Sequence, residues 1–129
     1  NGDFETYFNT GTAYKEMGLV EEAIKEFQAA AVSVAPNDGT RRFFACANLL
    51  GFCFMEQRMP GAALKWFERA LTANDLTREE KHGIWYELAM AYEEDGNPET
   101  AGEYFEMVYA EDANFRDVSE KMKNLTINR

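Results

Sequence analysis

Two thiols, one imidazole and a surplus of carboxylates are the groups of this 129-residue chain that invite chemistry. Cys46 and Cys53 are the only cysteines, seven residues apart in an apolar stretch that reads as one helix. At about 1.5 Å of rise per residue their backbones lie roughly 10 Å apart, beyond disulfide reach. They are expected to be reduced, buried core thiols, which fits a reducing, cytoplasmic setting. His82 is the single histidine, with no second His or further Cys to complete a metal site and no suitably spaced nucleophile to activate. It is expected to lie exposed at a helix start. Gly39, Gly61 and Gly83 stand singly, so no glycine-rich loop is present to cradle a phosphate. Glu93 and Glu94 are neighbours on a helix and point apart, unlike a catalytic pair. The expectation is a protein with no catalytic residue, no metal site and no cofactor, and hence not an enzyme.

Charge excludes further classes. The formal net charge is −10, which argues against nucleic acid or an anionic membrane as partner. Eleven acidic residues fall between Glu79 and Asp112 against one basic residue, Lys81, while the rest of the chain balances. That stretch reads either as a solvated face or as an acidic docking surface for a basic partner. The apolar runs at Phe43–Ala47 and Leu49–Met55 are far too short to span a membrane, and no secretory signal opens the chain. The chain starts Asn1-Gly2-Asp3 without Met, which predicts a domain excised or processed from a longer protein. With 46% hydrophobic and 14% aromatic residues, it can bury a core as one domain or a short repeat array.

The elements that must position any site emerge from an internal repeat. Three segments align without gaps: Tyr7 to Ala30, Ala47 to Ala70, and Trp85 to Val108. Each has a small residue (Gly11, Gly51, Ala89) followed three positions later by an aromatic one (Tyr14, Phe54, Tyr92). Twelve positions after the small residue comes an alanine (Ala23, Ala63, Ala101), and sixteen after it a phenylalanine (Phe27, Phe67, Phe105). Small residues on both helices of a unit allow close approach, and the aromatics fill the space beside the contact. Gly18 and Gly96 suit helix C-termini, and Pro60 and Pro98 suit first helical positions. Asn97 is an N-cap, and Thr77 with Glu80 makes a capping box. These signals predict helices over 3–17, 20–34, 40–58, 60–73, 77–95 and 98–111. Phe115, Val118, Met122 and Leu125 add one apolar stripe, a terminal capping helix or a truncated fourth repeat.

The pattern resembles the tetratricopeptide repeat, W-x2-L-G-x2-Y followed by A-x3-F. Trp85, Leu88, Ala89, Tyr92, Ala101 and Phe105 nearly complete it, whereas the second unit has Ala47 at the tryptophan position. The resemblance implies an all-α superhelix, or solenoid, of three helical hairpins in a single domain over 1–129. The repeats run about 4–37, 42–76 and 80–113, with a capping helix near 114–126. The small residues recur after 40 and then 38 residues, against about 34 in the family. Loops around 36–40 and 74–77, or an extra helical turn, must absorb the difference.

The resemblance further implies that first helices of successive units line a concave peptide-binding groove. It places Phe8, Asn9 and Thr12 there from unit one, Asn48, Leu49, Phe52 and Met55 from unit two, and Tyr86, Glu87, Met90 and Glu93 from unit three. Leu49 and Glu87 stand where a clamp for a terminal carboxylate would need cations. An apolar groove with an acidic end suits another protein's extended or helical segment bearing hydrophobic anchors and a Lys or Arg. The expected role is a scaffold or adaptor. A secretion-type chaperone and a structural self-association domain are the alternatives.

Overall fold

The computed structural model describes residues 2–127, and side chains from 3 to 125. Every regular element among the described residues is an α-helix. The chain divides into two compact units, one ending at Asp75 and the other starting at Leu76.

The first unit holds two helical hairpins. Helix α1 (Gly2–Glu16) packs on α2 (Val20–Val32), α3 (Arg42–Glu56) on α4 (Pro60–Ala70), and α2 on α3. Phe27 and Phe67, on the second helices, are fully buried, and each lies over the small residue of its partner helix. A Cβ added to Gly11 would come within 2.8 Å of the Phe27 ring, and one added to Gly51 would come closer still to Phe67. Real Cβ atoms do not approach so closely. The repeated glycine is therefore a packing requirement, and the ring fills the volume that a side chain would have taken.

Each hairpin turns over the same hydrogen bonds. Leu19 N–H donates to the Tyr14 carbonyl and Met59 N–H to that of Phe54, both at 2.9 Å, closing helices α1 and α3 with the wide bond of a Schellman end. The carbonyls of Leu19 and Met59 then accept from Ala23 and Ala63 to start the next helix. Such an end needs one left-handed residue. Gly18 supplies it at φ 80°, but the matching position of the second hairpin is Arg58 at φ 60°, a conformation that costs a residue with a Cβ about 1–2 kcal/mol.

Around the residues beyond the family spacing, segments 33–41 and 71–77 lie outside the helices. Asn37, left-handed at φ 58°, donates from its side-chain amide to the Thr72 carbonyl and accepts from the Asn74 N–H. That clamp ties the loop after α2 to the one after α4. Arg41 adds an ion pair to Asp75 at 2.9 Å. Asp38 accepts from the hydroxyl and N–H of Thr40 and pairs with Arg42 at 3.0 Å. These bonds, the Thr40 hydroxyl foremost, hold its carboxyl down at about 2.

The second unit holds α5 (Arg78–Glu94), α6 (Pro98–Glu111) and α7 (Val118–Ile127), with α5 and α7 both packed on α6. The Thr77–Glu80 capping box forms with both of its bonds, and the Asn97 side chain caps α6. Ala89 replaces the glycine, and Phe105 is buried in one cluster with Tyr86, Ala101, Val108 and Val118. Phe115, Met122 and Leu125 pack against that cluster, so the C-terminal stripe closes the unit's core. The helix proper begins only at Val118, because Arg116 adopts φ 46° and interrupts it.

Three substitutions test this packing and the loop. Gly51→Ala should lower the unfolding free energy by about 1 kcal/mol, since overpacking of about 1–3 kcal/mol outweighs the gain of about 1 kcal/mol in helix propensity. Gly61→Ala, where an added Cβ meets nothing within 4 Å, should raise it by about 0.5 kcal/mol; urea titrations read both. Asp38 stabilises the fold above its unfolded value of about 3.9, and that contribution is lost as pH falls through about 2. Asp38→Asn should accordingly be less stable than the wild type at pH 5 and converge with it near pH 2 in thermal melts.

Candidate functional site

Helices α1 and α3 run beside each other in the first unit. The Arg42 guanidinium at the start of α3 lies 5.3 Å from the centre of the Phe4 ring in α1, and the Lys15 charge at the end of α1 reaches Cys53 in α3. These two helices hold the first seven groove candidates. Asn9 is exposed, and Phe8, Thr12, Asn48, Leu49, Phe52 and Met55 are half-buried. None is sealed in the core.

Their neighbours separate them further. Phe8 stacks on Phe4 at 5.4 Å and leans on Phe27 at 5.7 Å. Phe52 sets its ring edge-on to Phe67 at 5.4 Å. Both aromatics therefore serve the hairpin packing as much as the surface. The Thr12 hydroxyl donates to the Phe8 carbonyl of its own helix. Leu49 and Met55 are the large apolar candidates outside these ring contacts. The interior beside them is apolar: Cys46 and Cys53 are free and buried, and burial pushes their thiols up to about 12 and about 11. Such thiols are poor nucleophiles at neutral pH.

In the second unit the four candidates fare differently. Tyr86 is buried, contrary to its expected place on an open face. Its ring packs edge-on to Phe105, and its hydroxyl donates to Asp117. Burial first, then the Asp117 carboxylate, pushes the phenol above its ordinary range. Glu87 has a side chain only 15% exposed and pairs with Arg116 at 2.6 Å, while the guanidinium lies over the Tyr86 ring. Met90 packs against the core cluster. Glu93 remains exposed and meets Lys121 at 3.5 Å. The physical reason is the segment before α7: Phe115, Arg116 and Asp117 fold back over this face of α5. Arg116 and Asp117 had no place in the sequence reading, since neither belongs to the apolar stripe.

His82 also departs from expectation. It is buried at 2% exposure, 5.9 Å from the centre of Trp85 and 5.7 Å from that of Phe115. Its Nε2 lies 2.8 Å from a Glu111 carboxylate oxygen, and that bond holds Glu111 below the usual carboxylate range. Arg78 closes the same corner by donating to the Glu111 carbonyl. The helical spacing held the signal, because His82, Tyr86 and Ala89 form one inward stripe at i, i+4 and i+7. No group of three or more His, Cys, Asp or Glu side chains that could hold a metal ion occurs among the described residues. No helix among them is long and apolar enough to cross a membrane.

Comparison with known proteins agrees with this architecture. No curated protein sequence matches the chain. Among solved structures, the crystal structure of MamA superposes with a TM-score of 0.74 at 20% identity, covering 92% of this chain and 64% of that one. The chain thus spans under two thirds of MamA's length. The tetratricopeptide domain of Arabidopsis FLU gives 0.69 at 21% identity over 84% of this chain and 93% of its own. The N-terminal domain of stress-induced protein-1 (STI-1) from C. elegans gives 0.76 at 14% identity and covers 98% of both chains. At such identities these likenesses speak for the fold alone. A tetratricopeptide-repeat family model matches residues 4–38 and 82–114, more than half of the sequence. With three hairpins built on the Gly11, Gly51 and Ala89 positions, the chain belongs to the tetratricopeptide-repeat family, whose members are in general protein-interaction modules.

Proposed function

We propose that the chain is a binding module, with no catalytic activity, that receives a segment of another protein on the face shared by α1 and α3. The observation that carries this reading is that large apolar side chains there are only partly buried. Leu49 and Met55 are half-buried on the outer side of α3, where a solvated surface would carry polar side chains. Asn9, Thr12 and Asn48 lie among them and offer hydrogen-bonding groups that fix the register of a bound backbone. The family's general role supports the same reading, as does the setting of the groups that catalysis would need. His82 is enclosed with Glu111 and two aromatic rings, and both thiols are buried.

The partner that fits is an extended or helical segment with apolar anchors and a Lys or Arg. Residues 76–129 hold thirteen acidic and six basic residues, a field that draws a cation during encounter and speeds association. Affinity rests with the apolar contacts, which lose water on binding.

The test starts from a segment that co-purifies with the chain and is identified by sequencing. Leu49→Ala and Met55→Ala should each weaken its binding by more than about 1 kcal/mol with no change in the helical circular dichroism. Phe8 and Phe52 are poorer probes, because their loss also disturbs Phe27 and Phe67. Normal binding by both variants, together with loss of binding on substitution of exposed residues in α2 or α4, would refute the proposal.

A further inference from the structure

Within the second unit, α6 and α7 bound an open groove of about 720 Å3. Pro98, Gly102, Met122 and Leu125 give it an apolar floor. Gly102 keeps that floor low: a Cβ there would already touch Leu125 at 3.4 Å. Along one wall stand Glu99, Glu103 and Glu106, at spacings of four and three on one face of α6. All three are exposed, and their carboxylates have no ion-pair partner among the described residues. Like charges at this spacing weaken a helix. Of the carboxylates lining the groove, only Glu93 is matched, by Lys121.

We propose that this groove is a second docking site, distinct from the α1–α3 face, for a basic amphipathic helix of a partner protein. The apolar floor takes one face of that helix, and its flanking lysines or arginines meet Glu99, Glu103 and Glu106. The three carboxylates extend over about 10 Å along α6, two helical turns for the cations of an incoming segment to meet. The floor also lies beside α7, which packs on α6 and has no hairpin partner of its own among the described residues. The incoming helix would give α7 the antiparallel or parallel neighbour that every earlier first helix already has. Charge argues against a second copy as occupant, since each chain carries a formal net charge of −10.

The probe is a synthetic amphipathic peptide of about 15 residues, leucines on one helical face and lysines on both flanks, titrated by fluorescence anisotropy at low and high salt. The chain should bind it, more weakly as salt rises. Glu103→Lys with Glu106→Lys should reduce affinity about tenfold or more, as should Gly102→Leu, which fills the floor without altering charge. Glu21→Lys with Glu22→Lys on α2 makes the same charge change elsewhere and should matter far less. Leu49→Ala should leave this binding intact, which separates the site from the α1–α3 face. Absence of binding, or equal losses from the α2 and α6 charge reversals, would overturn the proposal. So would a concentration-dependent dimer abolished by Glu103→Lys with Glu106→Lys.

Discussion

The whole architecture depends on a phenylalanine seated on a residue too small to resist it. In the first unit the rings of Phe27 and Phe67 occupy the space where Gly11 and Gly51 would carry a Cβ. In the second, Phe105 lies in one buried cluster with Ala89 and Ala101. Helices that approach this closely gain dispersion contacts along their length and exclude water from the seam. Every other regularity follows from holding that contact in register. The Schellman turns return the chain after three residues, and the alanines of the second helices keep the seam narrow.

Most of the fold was legible because that contact is written in short-range spacing. Small residue, aromatic, alanine and phenylalanine recur at fixed offsets, and proline, glycine and the capping box mark the ends. Helix limits from those signals lie within three residues of the observed ones. The loop clamp was not legible. Asn37 reaches Thr72 and Asn74 across 35 and 37 residues, and no local pattern announces a side chain that bonds so far along the chain. Arg58 was equally hidden, since only its alignment with Gly18 and Gly96 reveals that it must be left-handed.

The candidate site divides between the two units. Asn9 is exposed and Thr12, Asn48, Leu49 and Met55 are half-buried, so none of them is taken up by the core. In α5 the same positions are taken by the chain itself, because Arg116 and Asp117 satisfy Glu87 and Tyr86. The acidic surplus is thereby divided by structure. Glu87, Glu93 and Glu111 have partners within the unit, whereas Glu99, Glu103 and Glu106 are exposed and have no ion-pair partner among the described residues. Sequence counts these carboxylates alike, and only packing separates those that hold the fold from those left to meet something else.

The proposed function stands on the α1–α3 face receiving the partner. The most direct measurement is the amide chemical-shift map of isotope-labelled protein during addition of the partner segment. Shifts should concentrate at Asn9, Thr12, Asn48, Leu49 and Met55 and their neighbours in α1 and α3. Shifts confined to the outer positions of α2 and α4, such as Glu22, Lys25, Lys65 and Glu68, would contradict it.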